Sequence, residues 1–501
     1  MPTALASLTP GLLYSGLFDS GLFDSGSVGS GFGESGLLAS SALQPARYQM
    51  ALSLGWHIVI ACFGVALPAM IFVLHRRGLR GDADALELAR RWAKTSGVLF
   101  AMGAVSGTIL SFEMGLLWPG LMGAYGDVIG LPFAIEGLAF FTEAIFLGIY
   151  LYGWGRLAPR THLLTLVPIA LAGVVGSFSV LAANAWMNSP AGFRLVDGEV
   201  VDVDPLAAMF NDAVWLQWLH MWLAAYMVVG FCVAAVYAVG MRRGKDGRRE
   251  RLGFSVAFAF AAAAALAQPV VGHFAGMRLA EAQPSKLAAM ELATETETRA
   301  PLIIGGVLID GEVRYGIEIP VLGSLIARGS PDAELVGLDD LPEGDEIPAN
   351  VVHLSFQTMV GIGTGLAALG ALYWVRRRRG HELLDQSWFR LAAASAGPGA
   401  VVALIAGWVT TEVGRQPWIA YRVLRVDDAV TDVSWIWLSF TTIAVVYASM
   451  TWFGYRIITS MAARWAAGEY DLRAPYGPDE PEPTSEPTSR SQAGPDGEGV
   501  R

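Results

Sequence analysis

A small group of ionisable side chains lies inside the apolar stretches of this 501-residue sequence. Its members are His57, Glu113, Glu136, Glu143, His220 and Glu412. An ionisable side chain costs about 2.5–3.5 kcal/mol when it is placed in hydrocarbon, and it usually faces the interior of a protein. Buried carboxylates can carry protons, whereas imidazoles can carry protons or bind a metal.

Glu136 and Glu143 are seven residues apart, which places them two helical turns, or about 10.5 Å, apart on one helix face. Glu143 lies near the middle of its apolar stretch. This spacing predicts a proton relay toward a buried redox centre. The alternative is a structural pair whose hydrogen bonds are satisfied by neighbouring Ser, Thr or Trp side chains.

His220 and Met359 lie at matching depths, about nine and about eight residues inside two different apolar stretches. Each is followed four residues later by a small residue, Ala224 or Gly363. Axial ligation of one low-spin haem by a His and a Met requires two such side chains at one level. A hydrogen-bonded histidine and a core methionine remain the structural alternative.

His57 lies about eight residues inside the first stretch, or about 12 Å deep at the rise of a helix. Ala61 and Gly64 follow on the same face, which leaves a small-residue surface against which a flat macrocycle could lie. His75, His162 and His381 stand at the ends of stretches and are expected to be solvated.

The elements that must position these groups are nine predicted membrane helices. Hydrophobic residues make up 53% of the chain and charged residues 16%, against about 25% charged in a soluble domain. Each stretch approaches the roughly 20 residues that span a bilayer. They lie near 49–75, 95–116, 131–155, 162–187, 209–240, 252–273, 351–375, 390–412 and 433–457. The predicted fold class is an all-α polytopic bundle.

Basic residues predict the orientation of this bundle. Loops 76–94 and 241–251 hold six Lys or Arg each and loop 376–390 holds five, whereas loop 117–130 holds none and 188–208 holds one. Because cytoplasmic loops are enriched in Lys and Arg, we expect the N-terminus outside and the C-terminus in the cytoplasm.

The segments outside the spans differ in composition. We expect a flexible Gly/Ser-rich tail over 1–45, an extracytoplasmic loop over 274–350 and a disordered tail over 461–501, with helices one to six in 46–273 and seven to nine in 351–460. Cys62 and Cys232 lie in apolar runs and are expected to be small buried hydrophobes. No C-x-x-C-H is present, which argues against covalent c-type haem attachment.

Over residues 44–457 the chain resembles the large subunit of cytochrome bd oxidases. The motifs that carry the resemblance are ARYQMALSLGWH, SFEMGLLWP, PFAIEGLAFFTEAIFLGIYLYGW, VLAANAWMNSP, WLHMW, QPSKLAAME, HLSFQTMVG and GWVTTEVGRQPW, in this order. The resemblance implies that His220 and Met359 bind a low-spin haem b. It implies that His57 and Glu412 bind two high-spin haems, a haem b and a haem d, without deciding which serves which.

The resemblance also implies roles for charged residues. Glu136 and Glu143 match carboxylates of the oxygen-reducing centre and its proton path, and Lys286 and Glu291 match the quinol-binding loop. Three further positions, Glu113, Arg47 and Arg415, match residues close to the haems. His273 and His353 flank the outer loop and are candidates to contact quinol or a haem propionate.

Three positions depart from the family pattern. Gln357 stands where many relatives have Arg, Gly155 where Asp is common, and His273 where Asp is frequent. The segments GLLWP and SFQTMV lean toward the cyanide-insensitive branch, some members of which carry haem b in place of haem d. The third haem is therefore expected to be haem d or a further haem b.

The expected function is quinol:oxygen oxidoreduction in the bacterial cytoplasmic (inner) membrane. Ubiquinol or menaquinol would be oxidised at the outer face, and oxygen would be reduced to water with protons taken from the cytoplasm. The resemblance implies a second multispan subunit and allows a small single-span one; no nucleic-acid partner is expected. A proton-coupled transporter without haem is the alternative. A cytochrome b of a quinol–cytochrome c reductase would need paired histidines on two spans, which the sequence lacks.

Overall fold

The structure is a computed structural model that describes residues 34–468. Fourteen α-helices follow one another in this part of the chain. They are α1 (Glu34–Gly78), α2 (Ala83–Leu117), α3 (Pro119–Tyr152), α4 (Pro159–Leu164), α5 (Leu166–Asn188), α6 (Pro205–Met209), α7 (Val214–Arg242), α8 (Arg248–Ala282), α9 (Pro284–Glu291), α10 (Leu322–Arg328), α11 (Ala349–Arg378), α12 (Ser387–Val413), α13 (Val426–Ala429) and α14 (Ile436–Ala466). Within the described residues, nine helical segments are long and apolar enough to cross a membrane, which confirms the predicted fold class.

The spanning helices form an antiparallel bundle with two different ends. One end, here the arginine-rich end, carries the connections 79–82, 153–158, 243–247 and 379–386. The other, the capped end, carries the connections 189–213, 283–348 and 414–435. Since α1 begins among residues of the 414–435 connection, α1, α3, α7 and α11 all run from the capped end to the arginine-rich end.

Close packing of small residues holds the centre of the bundle together. A Cβ on Gly230 of α7 would lie 2.6 Å from the backbone of Ala257 on α8, so only glycine permits this approach. Phe231, Phe254 and Phe258 fill the neighbouring space without solvent exposure. Membrane helices associate through such small-residue contacts because lipid provides no hydrophobic drive between them.

Several helices extend beyond the apolar stretches that predict them. α8 continues to Ala282, nine residues past its expected end, and α1 already begins at Glu34 inside the expected N-terminal tail. α14 runs to Ala466, into the expected C-terminal tail. A helix satisfies its own backbone hydrogen bonds, so it can continue past the hydrocarbon without cost. The remaining parts of both expected tails, 1–33 and 469–501, lie outside the described residues.

The connection 283–348, expected as a loop, is folded. It contains α9 and α10, a small pair of strands β3 (Glu297–Thr298) and β6 (Glu334–Leu335), and a hairpin of β4 (Leu302–Ile309) and β5 (Glu312–Ile319). Shorter hairpins β1 (Arg194–Val196) with β2 (Glu199–Val201) and β7 (Trp418–Ala420) with β8 (Leu424–Arg425) complete the capped end.

Side chains of α11 bond to the open edge of the β4–β5 hairpin. Three pairs make these contacts: Asn350 with Leu308 N and O at 2.6 and 2.9 Å, His353 Nε2 with Gly305 O at 2.8 Å, and Gln357 Nε2 with Ile303 O at 3.1 Å. The first turns of α11 therefore act in place of a third strand. This arrangement also accounts for Gln357, whose amide donates to a backbone carbonyl.

Two histidines at the arginine-rich end are buried, contrary to the expectation that they are solvated. His75 and His162 have no exposed surface. His75 Nδ1 lies 3.0 Å from the Tyr150 hydroxyl, and His162 Nε2 lies 2.7 Å from the Tyr150 carbonyl oxygen. Because the chain turns back after Tyr152, α4 brings His162 against these rings. His381 is exposed, as expected.

Candidate functional site

Packing between α8 and its neighbours sets the relative height of His220 and Met359. A Cβ on Gly272 of α8 would lie 3.3 Å from His220 Cε1, and one on Gly370 of α11 would lie 3.1 Å from Ala262 of α8. Gly272 lies ten residues nearer the capped end than Ala262, and Met359 lies eleven residues nearer that end than Gly370. At about 1.5 Å per residue, Met359 is level with Gly272, and hence with His220, to within about 2 Å.

Helix α12 gives the same result by an independent route. A Cβ on Gly407 would lie 2.7 Å from Met359 Sδ, and one on Gly397 would lie 3.0 Å from Cys232 of α7. Gly407 lies ten residues nearer the capped end than Gly397, and His220 lies twelve residues nearer that end than Cys232. The two side chains thus share one level to within about 3 Å, as the sequence predicts.

His57 is held in one orientation by Ser106 of α2. His57 Nδ1 lies 2.8 Å from Ser106 Oγ, and that hydroxyl lies 3.1 Å from the carbonyls of Met102 and Gly103. Since the hydroxyl proton is directed at a carbonyl, the oxygen accepts from His57 Nδ1–H. The assigned tautomer leaves Nε2 unprotonated, which is the form that binds a metal.

Glu412 at the end of α12 is bonded at both carboxylate oxygens. Asn184 Nδ2 donates to Oε1 at 2.8 Å, and Arg415 Nη2 donates to Oε2 at 2.5 Å. Arg415 is buried, and Arg47 nearby donates from Nη2 to Gln416 Oε1 at 2.7 Å. The carboxylate is therefore fixed in place by an amide from α5 and a guanidinium from the next connection.

Glu143 and Glu136 lie on α3, which runs beside α1 in the same direction. A Cβ on Gly64 of α1 would lie 3.0 Å from Glu143 Oε1, so this glycine makes room for the carboxylate. Seven residues separate Glu136 from Glu143 and His57 from Gly64, and both helices run in the same direction. Glu136 therefore lies at the level of His57. Among the described residues, neither carboxylate forms an ion pair with a cation.

Glu113 is buried between α1 and α2. Gln49 Nε2 and Ser53 Oγ both donate to its Oε1, each at 2.9 Å. Its Oε2 is buried and has no partner among the described residues. Glu113 thus keeps one acceptor available near the capped end.

Lys286 and Glu291 are buried on α9, although they lie in the segment 274–350 that the sequence predicts to be an extracytoplasmic loop. They are 4% and 7% exposed. Burial lowers the pKa of Lys286 to about 7, with a further lowering by Arg415 and an opposing effect of Glu412. Burial raises the pKa of Glu291 to about 7, and its Oε2 has no partner in the described structure. The sequence of this segment does not reveal the burial of the two side chains, because the burial arises when α9 docks on α11.

His353 lies between two backbone carbonyls. Its Nδ1 lies 2.7 Å from Met290 O and its Nε2 lies 2.8 Å from Gly305 O. Both ring nitrogens thus have protein neighbours, and a contact of His353 with quinol or a haem propionate stays a prediction. His273 is exposed on α8.

The chain matches the family model of cytochrome bd terminal oxidase subunit I over residues 45–465. It belongs to this family. The match covers all nine spanning segments of the described structure apart from the first residues of α1 and the last of α14. This cytochrome bd subunit is thus part of a terminal respiratory oxidase, and the predicted family is confirmed.

Named relatives agree with this assignment. The putative cytochrome bd menaquinol oxidase subunit I of Bacillus subtilis is 34% identical over 411 residues, covering 80% of this chain and 92% of the relative. The cytochrome bd-II ubiquinol oxidase subunit 1 of Escherichia coli is 25% identical over 473 residues, covering 80% and 92%. The bd oxidase structure from Geobacillus thermodenitrificans has a TM-score of 0.80 at 36% identity, covering 85% of this chain and 99% of that one.

A cytochrome bd subunit carries haem, and unpartnered polar atoms lie where haem would fit. Around His220, three buried atoms have no hydrogen-bond partner within the described part of the chain: His220 Nδ1, Gln217 Oε1 and Gln268 Oε1. Near Glu412 the same holds for Arg47 Nε and for Arg415 Nε and Nη1. Buried polar groups without partners are rare in proteins alone, and free guanidinium donors suit an anionic propionate. The residues present fit the group.

Three polar residues of this subunit escape prediction from sequence. Ser106 orients His57, whereas Asn184 and Asn188 bond to Glu412 and Lys286. Each lies within an apolar run, and its contact with a side chain of a distant segment cannot be read from the sequence. Both asparagines lie in the segment VLAANAWMNSP, which carries part of the family resemblance but does not indicate what either side chain contacts.

Proposed function

We propose that this subunit oxidises quinol at the capped end and carries the haems through which electrons reach oxygen. His220 and Met359 bind the low-spin haem b, and His57 and Glu412 bind two high-spin haems, one haem b and one haem d or further haem b. The observation that carries this proposal is the common level of His220 and Met359 on two helices, beside buried polar atoms without protein partners.

The residues of α9 provide the quinol site in this proposal. With pKa values of about 7, Lys286 and Glu291 are each partly ionised at pH 7, so Glu291 as a carboxylate can accept a quinol proton and Lys286 as an ammonium can bind a quinol oxygen. Each quinol gives up two electrons and two protons, and two quinols are needed to reduce one oxygen molecule to two waters. Ubiquinol and menaquinol both remain candidates, since the named relatives include an oxidase for each.

The haems, when bound, supply one-electron transfer and the oxygen-binding iron. The chain contributes the path for protons. Glu143 holds a proton beside Gly64 and passes it toward Glu136, which stands level with His57. Glu113 and Arg415 hold charge and hydrogen bonds on the capped side of this centre.

The positive-inside pattern places the arginine-rich end in the cytoplasm of a bacterial inner membrane, with the N-terminus outside. Quinol protons are then released outside, and protons for water formation are taken up inside. Charge separation follows because electrons and protons approach the high-spin haems from opposite sides. A second multispan subunit completes the enzyme, and a small single-span subunit is allowed.

Optical spectra of the purified complex test this proposal. His220→Ala should abolish the reduced low-spin band and quinol oxidation, whereas Met359→Leu should retain haem but shift it toward high spin. His381→Ala, at an exposed position of the arginine-rich end, is the control and should change neither property. A full low-spin band in both variants would refute the ligand assignment, and a complex without haem bands would indicate a transporter instead.

A further inference from the structure

A continuous run of side-chain hydrogen bonds joins α9 to the end of α12 through α5. Lys286 Nζ donates to Asn188 Oδ1 at 2.7 Å. Asn188 Nδ2 lies 3.0 Å from the carbonyl oxygen of Asn184 and 3.4 Å from its Oδ1. Asn184 Nδ2 donates to Glu412 Oε1 at 2.8 Å, and Arg415 donates to the other oxygen of Glu412. Four segments of the chain therefore meet in one bonded series.

The two end groups fix the direction of every bond. A lysine ammonium only donates and a carboxylate only accepts. Asn188 must therefore turn its oxygen to Lys286 and its amide group to Asn184, and Asn184 must turn its amide group to Glu412. All donors point from Lys286 toward Glu412, and polarisation reaches the Asn184 side chain through the 3.4 Å contact between Asn188 Nδ2 and Asn184 Oδ1.

Burial makes the first link of this series sensitive to change. Lys286 and Asn188 are each 4% exposed, so water does not replace a broken bond between them, whereas the Glu412 side chain at the other end is 25% exposed. Gln283 Nε2 donates to the Asn188 backbone oxygen at 2.6 Å, which fixes the end of α5 against the start of α9. Asn184 and Asn188 are four residues apart on one face of α5, directly between the two ends.

We propose that Asn184 and Asn188 are positioning residues that join the quinol site to the high-spin haem site. This inference rests on the proposed function, since it assigns Lys286 to quinol and Glu412 to a haem. A quinone or quinol oxygen bound at Lys286 competes with Asn188 Oδ1 for the ammonium protons. The weakened bond reduces the polarisation of Asn188 and Asn184, and Glu412 then accepts a weaker hydrogen bond at Oε1.

Binding of oxidised duroquinone to the oxidised complex tests the link without turnover. Duroquinone occupies the quinol site but donates no electrons, so a change in the high-spin absorption bands reports coupling alone. We expect a saturable shift of these bands in the wild type and no binding in Lys286→Met. In Asn184→Ala and Asn188→Ala the shift should fall at least fivefold, while the inhibition constant of duroquinone against duroquinol oxidation stays within threefold.

Asn211→Ala is the matched control. Asn211 is a buried asparagine at the same end, and its side chain bonds to the carbonyl oxygens of Ala182 on α5 and Ala208 and to the Ala213 amide, with no bond in the described structure to Lys286, Asn184, Asn188 or Glu412. Its variant should keep the shift. If an alanine variant loses haem, Asn188→Asp decides the question, because it keeps an oxygen for Lys286 but loses the donor to Asn184.

Three outcomes would overturn the proposal. The first is a wild type whose high-spin absorption bands do not shift when duroquinone binds. The second is a wild-type shift in Asn184→Ala and Asn188→Ala, and the third is an equal loss of the shift in Asn211→Ala. Failure of the proposed function is distinguishable, since the complex would then lack haem bands or Lys286→Met would leave duroquinol oxidation unchanged.

Discussion

The contact between Gly407 and Met359 offers a direct test of axial ligation. A Cβ at position 407 would lie 2.7 Å from Met359 Sδ and 3.5 Å from its Cγ. Non-bonded heavy atoms normally approach to about 3.5–4.0 Å. In Gly407→Ala the sulfur must therefore move by about 0.8 Å or more.

This displacement exceeds what a ligand site tolerates, since productive geometry is held to within about 0.5 Å. The methionine side chain is flexible, so the sulfur can move while the helices keep their packing. We expect Gly407→Ala to retain its fold and haem content but to lose most of the low-spin band, and quinol oxidation should fall by about 100-fold, the cost of a misplacement near 1 Å.

Gly361→Ala is the control for this prediction. Gly361 lies two residues beyond Met359, on the opposite side of α11, and a Cβ there would have no heavy atom within 4 Å in the described structure. Reduced-minus-oxidised spectra, magnetic circular dichroism and thermal unfolding should be compared for both variants. An unchanged low-spin band in Gly407→Ala, or an equal loss in Gly361→Ala, would refute the assignment of Met359.

Glu143→Gln should retain haem and accept electrons but slow charge movement after oxygen is mixed with the reduced enzyme, because the amide cannot exchange a proton; wild-type kinetics would show that protons take another path. The pH profile of kcat/KM for quinol should be a bell near pH 7. Glu291, with its pKa raised to about 7, is protonated below that pH, and Lys286, with its pKa lowered to about 7, loses its charge above it. Glu291→Gln should remove the acidic limb, and a retained acidic limb in this variant would contradict its assignment.

Features that depend on position along a helix could be predicted from the sequence. Nine spans follow from hydropathy, because each apolar stretch must satisfy its backbone as a helix. The common level of His220 and Met359 follows from counting residues, since every helix rises by about 1.5 Å per residue.

Features that depend on contacts between distant segments could not be predicted. Lys286 is buried because α9 docks against α5 and α11, and His162 is buried because a short helix folds back onto Tyr150. The polar composition of 283–348 indicated a loop, whereas its strands are held by side chains of α11. The roles of Asn184 and Ser106 could not be predicted, because hydropathy does not show which side chain of another helix a polar residue contacts.

The contact between α11 and β4 has a consequence for biosynthesis. Leu308 precedes its partner Asn350 by 42 residues, so the ribosome delivers the hairpin before the helix that closes its edge. During this interval the β4 edge is unpaired and open to pairing with other chains. Completion of the capped end must therefore wait for insertion of the seventh spanning segment, and slow insertion there would expose the nascent subunit to aggregation and proteolysis.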